Sequence, residues 1–170
     1  MTRPDERTPL HIAAGVMAML LAGCGGDEGA SAGEATAAVT AATLGEQTVQ
    51  TNGEYLAEEP YASADLDAGE DEARLCRACH TFERDGMTLV GPNLYGLIGR
   101  TAGQGTDFPY SEALARADFA WTPRALDAWL AQPARFLPGT LMAFPGISDA
   151  TRRDDLIAYL LTATGPRTGR

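Results

Sequence analysis

Residues 76–80 read Cys76-Arg77-Ala78-Cys79-His80, and this run constrains what the chain can fold into more than any other part of it. Two thiols separated by two residues, with a histidine directly after the second, form the attachment sequence for a c-type haem. The thiols add across the two vinyl groups of one porphyrin edge, and the imidazole is then held under the iron as its proximal ligand. Cys76 and Cys79 are therefore the expected covalent attachment points, and His80 the expected iron ligand. A small domain is marginal on its own core, and a covalently held haem gives it a large apolar body to fold around.

The same spacing also serves zinc sites and dithiol redox motifs. The inventory argues against both. The chain has three cysteines and two histidines, and the others, Cys24 and His11, lie in an N-terminal segment that export would remove or lipidate. A structural zinc site needs four ligands, and no carboxylate spacing nearby completes one. A thioredoxin-like motif needs a strand–helix–strand setting, and nothing near residue 76 reads as a β-branched strand.

The N-terminus has the layout of an export signal. Residues 12–22 form an apolar run too short to span a bilayer, preceded by a polar stretch with Arg3 and Arg7. The run closes on Leu21-Ala22-Gly23-Cys24, a bacterial lipoprotein processing box, so residues 1–23 are expected to be the signal and Cys24 the lipidated new terminus. Acyl chains there would anchor the protein on the periplasmic side of a membrane. Residues 24–63 then read as a tether. Between residues 25 and 60 the composition is Gly, Ala, Thr, Ser and Glu, with Asp27, Glu28, Glu34, Glu46, Glu54, Glu58 and Glu59 and no basic residue. Such a stretch is expected to be flexible and self-repelling, with an r.m.s. span of roughly 33 Å.

Residues 64–170 remain as one domain with a helical pattern throughout. Thr122-Pro123 is a helix start, with a hydroxyl cap and proline at the first helical position. Leu126, Trp129 and Leu130 follow at helical spacing, and Pro133 is expected to end that helix. Ser148 or Asp149 caps a last helix carrying Leu156, Ile157, Leu160 and Leu161 on one face, closed by Gly165-Pro166. Residues 69–79 read as a first helix bearing the cysteines. Glycines are dense between residues 86 and 105, as suits backbone running close to a flat ligand.

From residue 69 to 164 the chain resembles the class I cytochromes c, of the mitochondrial cytochrome c and bacterial cytochrome c2 type. The resemblance rests on Cys76-Arg77-Ala78-Cys79-His80-Thr81, Gly91-Pro92-Asn93-Leu94-Tyr95-Gly96, Gly99-Arg100, Trp121, Pro138-Gly139-Thr140-Leu141-Met142 and Asp154-Asp155-Leu156-Ile157-Ala158-Tyr159-Leu160, in the same order and at similar spacing. It implies an all-α fold of three to five helices wrapped around one covalent haem c. It also implies that Pro92 accepts the proximal histidine N–H, and that Arg100, Tyr110 and Trp121 hold the inner haem propionate. Three positions depart from the family: Trp129 stands where a tyrosine usually lies beside the methionine sulfur, Leu114 where a haem-side asparagine is found, and Ala73 where the first helix offers an aromatic to the last. The last departure is expected to loosen that helix contact.

The distal ligand follows from the residues as well. With no second histidine after the signal, a six-coordinate iron is left with a methionine sulfur. Met87 lies seven residues after His80 on the same short excursion and reads as core filling. Met142 is far along the chain, beyond a Pro-Gly turn, and is the expected ligand; the family motif points to it too. His/Met ligation raises the reduction potential and leaves no open position for substrate.

The chain contains no lysine and has a net charge of −10, which excludes nucleic acid as a partner. From residue 64 onward eleven arginines face fourteen acidic residues. At the positions that the resemblance equates with the lysine-ringed haem edge of mitochondrial cytochrome c stand Leu75, Leu89, Ala134, Leu141, Ser148 and Asp149, with Arg135 the one base, which implies an apolar to mildly acidic surface. The sequence thus predicts an exported, lipid-anchored one-electron carrier, not an enzyme. Its expected partners are membrane respiratory or photosynthetic complexes: a bc-type complex, a terminal oxidase, a reductase or a reaction centre. Two other readings are a small haem peroxidase or gas sensor, disfavoured by the lack of a distal histidine, and a fixed subunit of an oxidase or reductase complex.

Overall fold

The computed structural model describes residues 39–105 and 108–165. The expected signal peptide and Cys24 lie outside the described residues.

Two helices set the frame. The longer ones, α2 (Leu66–Arg77) and α6 (Ala150–Ala163), cross each other. Asp65 caps α2, its carboxylate accepting from the backbone N–H groups of Asp67 and Ala68 at 3.0 Å each, so the helix begins three residues before Gly69. Asp149 caps α6 by accepting from Arg152 N–H at 2.9 Å. Gly69 is inside α2 because only hydrogen fits there. A Cβ at this position would lie 2.7 Å from the Asp155 carbonyl carbon and 2.8 Å from Tyr159 Cβ. Ala73, one turn further on the same face, is fully buried. The two helices therefore meet nearly backbone to backbone, and the missing aromatic does not loosen them. Polar contacts border the crossing: Asp155 accepts from Asp65 N–H at 2.8 Å, Arg77 donates to Tyr159 Oη at 2.9 Å, and Arg152 pairs with Glu72 at 2.6 Å.

The third long helix, α4 (Pro123–Ala131), starts as its sequence predicts, with Thr122 Oγ1 accepting from Ala125 N–H at 3.2 Å. Pro133 does more than end it. As the first residue of the single-turn α5 (Pro133–Phe136), it opens a new helix whose N-terminal position needs no donor. The chain then runs back beside α4, where Ile147 N–H donates to Leu130 O at 2.8 Å. The one-turn α3 (Glu112–Ala115) is capped by Ser111. Apart from one isolated antiparallel bridge between Thr101 and Ala120, the described residues contain no β-structure. The fold is all-α, and residues 64 onward carry five helices.

A sixth helix corrects the expected tether. The short α1 (Asn52–Leu56) lies in the acidic stretch, and from residue 39 the described chain straps onto the domain. Leu44 is 1% exposed, and Tyr55 and Asn52 are buried. Asn52 Nδ2 donates to Leu161 O at 2.6 Å and to Gly165 O at 2.9 Å, which satisfies carbonyls left over at the end of α6. Tyr55 Oη donates to Thr48 O at 3.0 Å. Thr51 and Glu54 form a capping box, with Thr51 N–H donating to Glu54 Oε2 at 2.7 Å. The averaged composition hides these few residues. Asn52 bonds to the end of α6, Leu44 and Tyr55 join the core, and that burial outweighs the ordering entropy that a polar stretch would not recover.

Candidate haem site

The cysteines sit where α2 runs out. Cys76 belongs to its last turn. Cys79 N–H and His80 N–H both donate to Cys76 O, at 3.1 and 2.9 Å, so the helical path continues past the assigned end and brings the two thiols and the imidazole onto one turn. Both thiols are free and half-buried. Burial, with Glu72 adding, pushes the Cys76 thiol up to about 11. At neutral pH it is protonated, the opposite of the low-pKa thiolate that a dithiol redox motif uses. Among the described residues no group of three or more His, Cys, Asp or Glu side chains is placed to hold a metal ion.

His80 has a fixed tautomer. Its Nδ1 lies 2.7 Å from Pro92 O. A carbonyl only accepts, so Nδ1 carries the proton and Nε2 is left with its lone pair free for a metal. Burial holds the imidazole below its ordinary pKa, partly offset by the Pro92 carbonyl, which keeps the ring neutral and able to ligate. The opposing wall is backbone: a Cβ on Gly91 would lie 2.7 Å from His80 Nδ1 and 2.8 Å from Nε2, and Gly91 N–H donates to Cys79 O at 2.8 Å. Asn93 ties the two strands of this turn together. Its Nδ2 donates to Thr81 Oγ1 at 2.7 Å and Glu83 O at 3.0 Å, and its Oδ1 accepts from Tyr95 N–H at 2.9 Å.

The two methionines separate clearly. Met142 is half-buried against the core, in the segment that follows α5, with its N–H near Thr140 Oγ1 at 3.3 Å. Met87 is 70% exposed; the expectation that it fills the core is wrong, because its loop is held by Thr81 Oγ1 donating to the Met87 carbonyl, which leaves the side chain outside.

Arg100 stands opposite Trp121, with Tyr110 near enough to act on its charge. Arg100 is half-buried, and its guanidinium donates from Nη2 to Asn93 O at 3.1 Å; no carboxylate pairs with it among the described residues. Burial pulls the guanidinium below its ordinary pKa, while Tyr110 works the other way. Trp121 lies across from Arg100: Trp121 N–H donates to Arg100 O at 2.9 Å and Gly99 N–H to Trp121 O at 2.7 Å. Neither the Trp121 and Trp129 indoles nor the Tyr110 hydroxyl has a protein acceptor among the described residues. A partly buried guanidinium with no carboxylate partner among the described residues would fit a carboxylate such as a haem propionate.

Trp129 takes part in a closed ring of four aromatics. Phe119–Trp121, Trp121–Trp129, Trp129–Phe136 and Phe136–Phe119 meet edge to face, with centroids 4.9, 5.3, 5.9 and 5.3 Å apart. Phe119 and Phe136 escaped the sequence reading because nothing in their spacing sets them apart from ordinary core residues. At the surface, Leu75, Met87, Leu89, Val90 and Leu141 are exposed, as are Ala134, Arg135, Ser148 and Asp149.

Such a site defines a single-haem, all-α domain in which one turn supplies two thiols and a metal-ready imidazole. No protein-family model matches the chain. Over 100 residues it is 42% identical to a cytochrome c2 of Agrobacterium tumefaciens, covering 57% of this chain and 90% of that protein. It is 43% identical over 99 residues to a cytochrome c homolog of Bradyrhizobium diazoefficiens, covering 58% of this chain but only 54% of that longer relative. Among solved structures it resembles cytochrome cH from Methylobacterium extorquens, with 45% identity, a TM-score of 0.54, and 58% of this chain matched to 99% of that one. The chain belongs to the cytochrome c family. It is an electron-transfer protein rather than an enzyme, and its cofactor is one covalently bound haem c.

Proposed function

We propose that this chain is a low-spin His/Met monohaem carrier, exported and held at the periplasmic face of a membrane through lipidated Cys24, that passes single electrons between membrane respiratory or photosynthetic complexes. The observation that carries the reading is the 2.7 Å contact from His80 Nδ1 to Pro92 O. It orients the imidazole, fixes its tautomer and raises its basicity as a ligand. In this reading Cys76 and Cys79 hold the haem through thioethers, which position His80 under the iron. Met142 supplies the sulfur on the other face, supported by its half-buried place on the core and the exposure of Met87. Arg100, Tyr110 and Trp121 take the inner propionate, and Trp129 packs behind Trp121. When bound, the haem supplies a one-electron Fe(III)/Fe(II) couple. His80 and Met142 would hold the iron from the protein side, leaving no site for substrate.

Partners remain of one broad kind. The exposed Leu75, Leu89 and Leu141 fit apolar docking onto a bc-type complex, oxidase, reductase or reaction centre, and tethering raises the local concentration of the two.

The axial assignment is tested with Met142→Ala and Met87→Ala in the haem-loaded protein. Oxidised wild type is expected to show the weak red charge-transfer band of a methionine–iron(III) bond. Met142→Ala should abolish the band and lower the potential by about 59 mV or more, a tenfold change for one electron. Met87→Ala should leave both unchanged. A band that survives in Met142→Ala refutes the assignment.

A further inference from the structure

We infer that Gln47, in the strap that precedes the haem domain, is a positioning residue for Trp121 and through it for the haem propionate. The inference rests on the reading of Trp121 as a propionate donor. The segment 119–122 is one side of a short antiparallel ribbon whose other side, 99–102, carries Arg100. Trp121 N–H donates to Arg100 O and Ala102 N–H to Phe119 O, both at 2.9 Å. Thr101 and Ala120 face each other between those bonds, so the N–H and C=O of Ala120 point away from the ribbon and its edge is open.

The Gln47 side chain closes that edge. Its Oε1 accepts from Ala120 N–H at 3.0 Å, its Nε2 donates to Ala120 O at 2.9 Å, and the same nitrogen donates to Thr122 Oγ1 at 2.7 Å. One amide thus does what a third strand would do, and the donor and acceptor pattern fixes which way round it sits. The two residues it grips are the neighbours of Trp121 on either side. Thr122 is also the cap of α4, which carries Trp129, so the amide joins the start of that helix to the ribbon. The strap is held by Leu44, three residues earlier and fully buried, which makes Gln47 a fixed clamp rather than a loose side chain. The indole plane of Trp121 then has little freedom to turn away from a carboxylate beside Arg100.

Loss of the clamp lets the 119–122 edge open and weakens donation from Trp121. A less neutralised propionate favours Fe(III), so the potential falls. The cavity beside the clamp, about 510 Å³ and lined by Glu46, Gln47, Asp118 and Ala120 among others, admits water that can satisfy Ala120 in a variant, so Gln47→Leu is expected to fold. The test uses the full haem-loaded chain and three variants, Gln47→Leu, Trp121→Phe and the double substitution. Gln47→Leu is expected to speed amide exchange at Ala120 and to shift the Fe(II)/Fe(III) ratio at fixed potential at least threefold toward Fe(III), about 28 mV at 59 mV per decade. Trp121→Phe should shift it in the same direction, and the double variant should add little to Trp121→Phe alone, because Gln47 acts through that indole. If Trp121→Phe leaves the potential unchanged, the propionate reading of Trp121 fails. If Trp121→Phe shifts the potential and Gln47→Leu changes only amide exchange and melting temperature, Gln47 is a structural residue and the inference is overturned. Fully additive shifts overturn it as well, since Gln47 would then act by another route.

Discussion

At the scale of single residues the site depends on what is absent as much as on what is present. Gly91 leaves room for the His80 ring, whose nitrogens would lie 2.7 and 2.8 Å from any Cβ placed there. Its N–H also donates to Cys79 O, so the backbone cannot back away without loosening the attachment turn. Gly91→Ala should therefore push the imidazole off its bond to Pro92 at an overpacking cost of about 1–3 kcal/mol. At about 4–8 °C per kcal/mol for a domain this small, thermal denaturation followed by circular dichroism should show a fall of at least about 4 °C, with part of the iron high-spin. An unchanged melting temperature and spectrum would mean that the loop yields freely. Residue types made the attachment turn legible: two thiols and one histidine in a fixed run admit few chemistries. Gly91 was visible only as part of a family motif, because a glycine's neighbours in space leave no trace in spacing.

Elements were legible where a cap and an apolar period agree. Thr122-Pro123 and Asp149 start helices as their chemistry demands, and the face with Leu156, Ile157, Leu160 and Leu161 is buried in full. The crossing of α2 and α6 is not legible at Ala73, because a small residue there reads as a missing aromatic contact. The structure closes the gap by approach instead of by filling, with Gly69 lying directly against the Asp155 backbone. This makes the crossing intolerant of one methyl group. Backbone cannot rotate aside as a side chain does, so Gly69→Ala should destabilise by about 1–3 kcal/mol or more despite its better helix propensity. The signature is a lower denaturant midpoint with an unchanged slope. A midpoint equal to or above wild type would show that the helices can separate at little cost. The strap offered one legible signal, Thr51 and Glu54 at capping-box spacing, and acidic, alanine-rich surroundings masked it.

For the whole molecule, the strap extends the folded unit on the N-terminal side of the attachment turn. The strap is tied to the body through Leu44, Gln47 and Asn52. A flexible linker tolerates substitution at Leu44 to within about 0.5 kcal/mol. A packed strap does not: Leu44 is 1% exposed, so Leu44→Ala should cost about 2–5 kcal/mol, read as a drop in melting temperature of the haem-loaded protein. Cys24→Ser should do the converse, leaving the melting temperature unchanged while the protein no longer stays with the membrane fraction. If Leu44→Ala melts with wild type, the strap contributes nothing to the fold and residues 39–63 act as tether after all. If Cys24→Ser remains membrane-bound, the anchor lies elsewhere in the chain or in a partner.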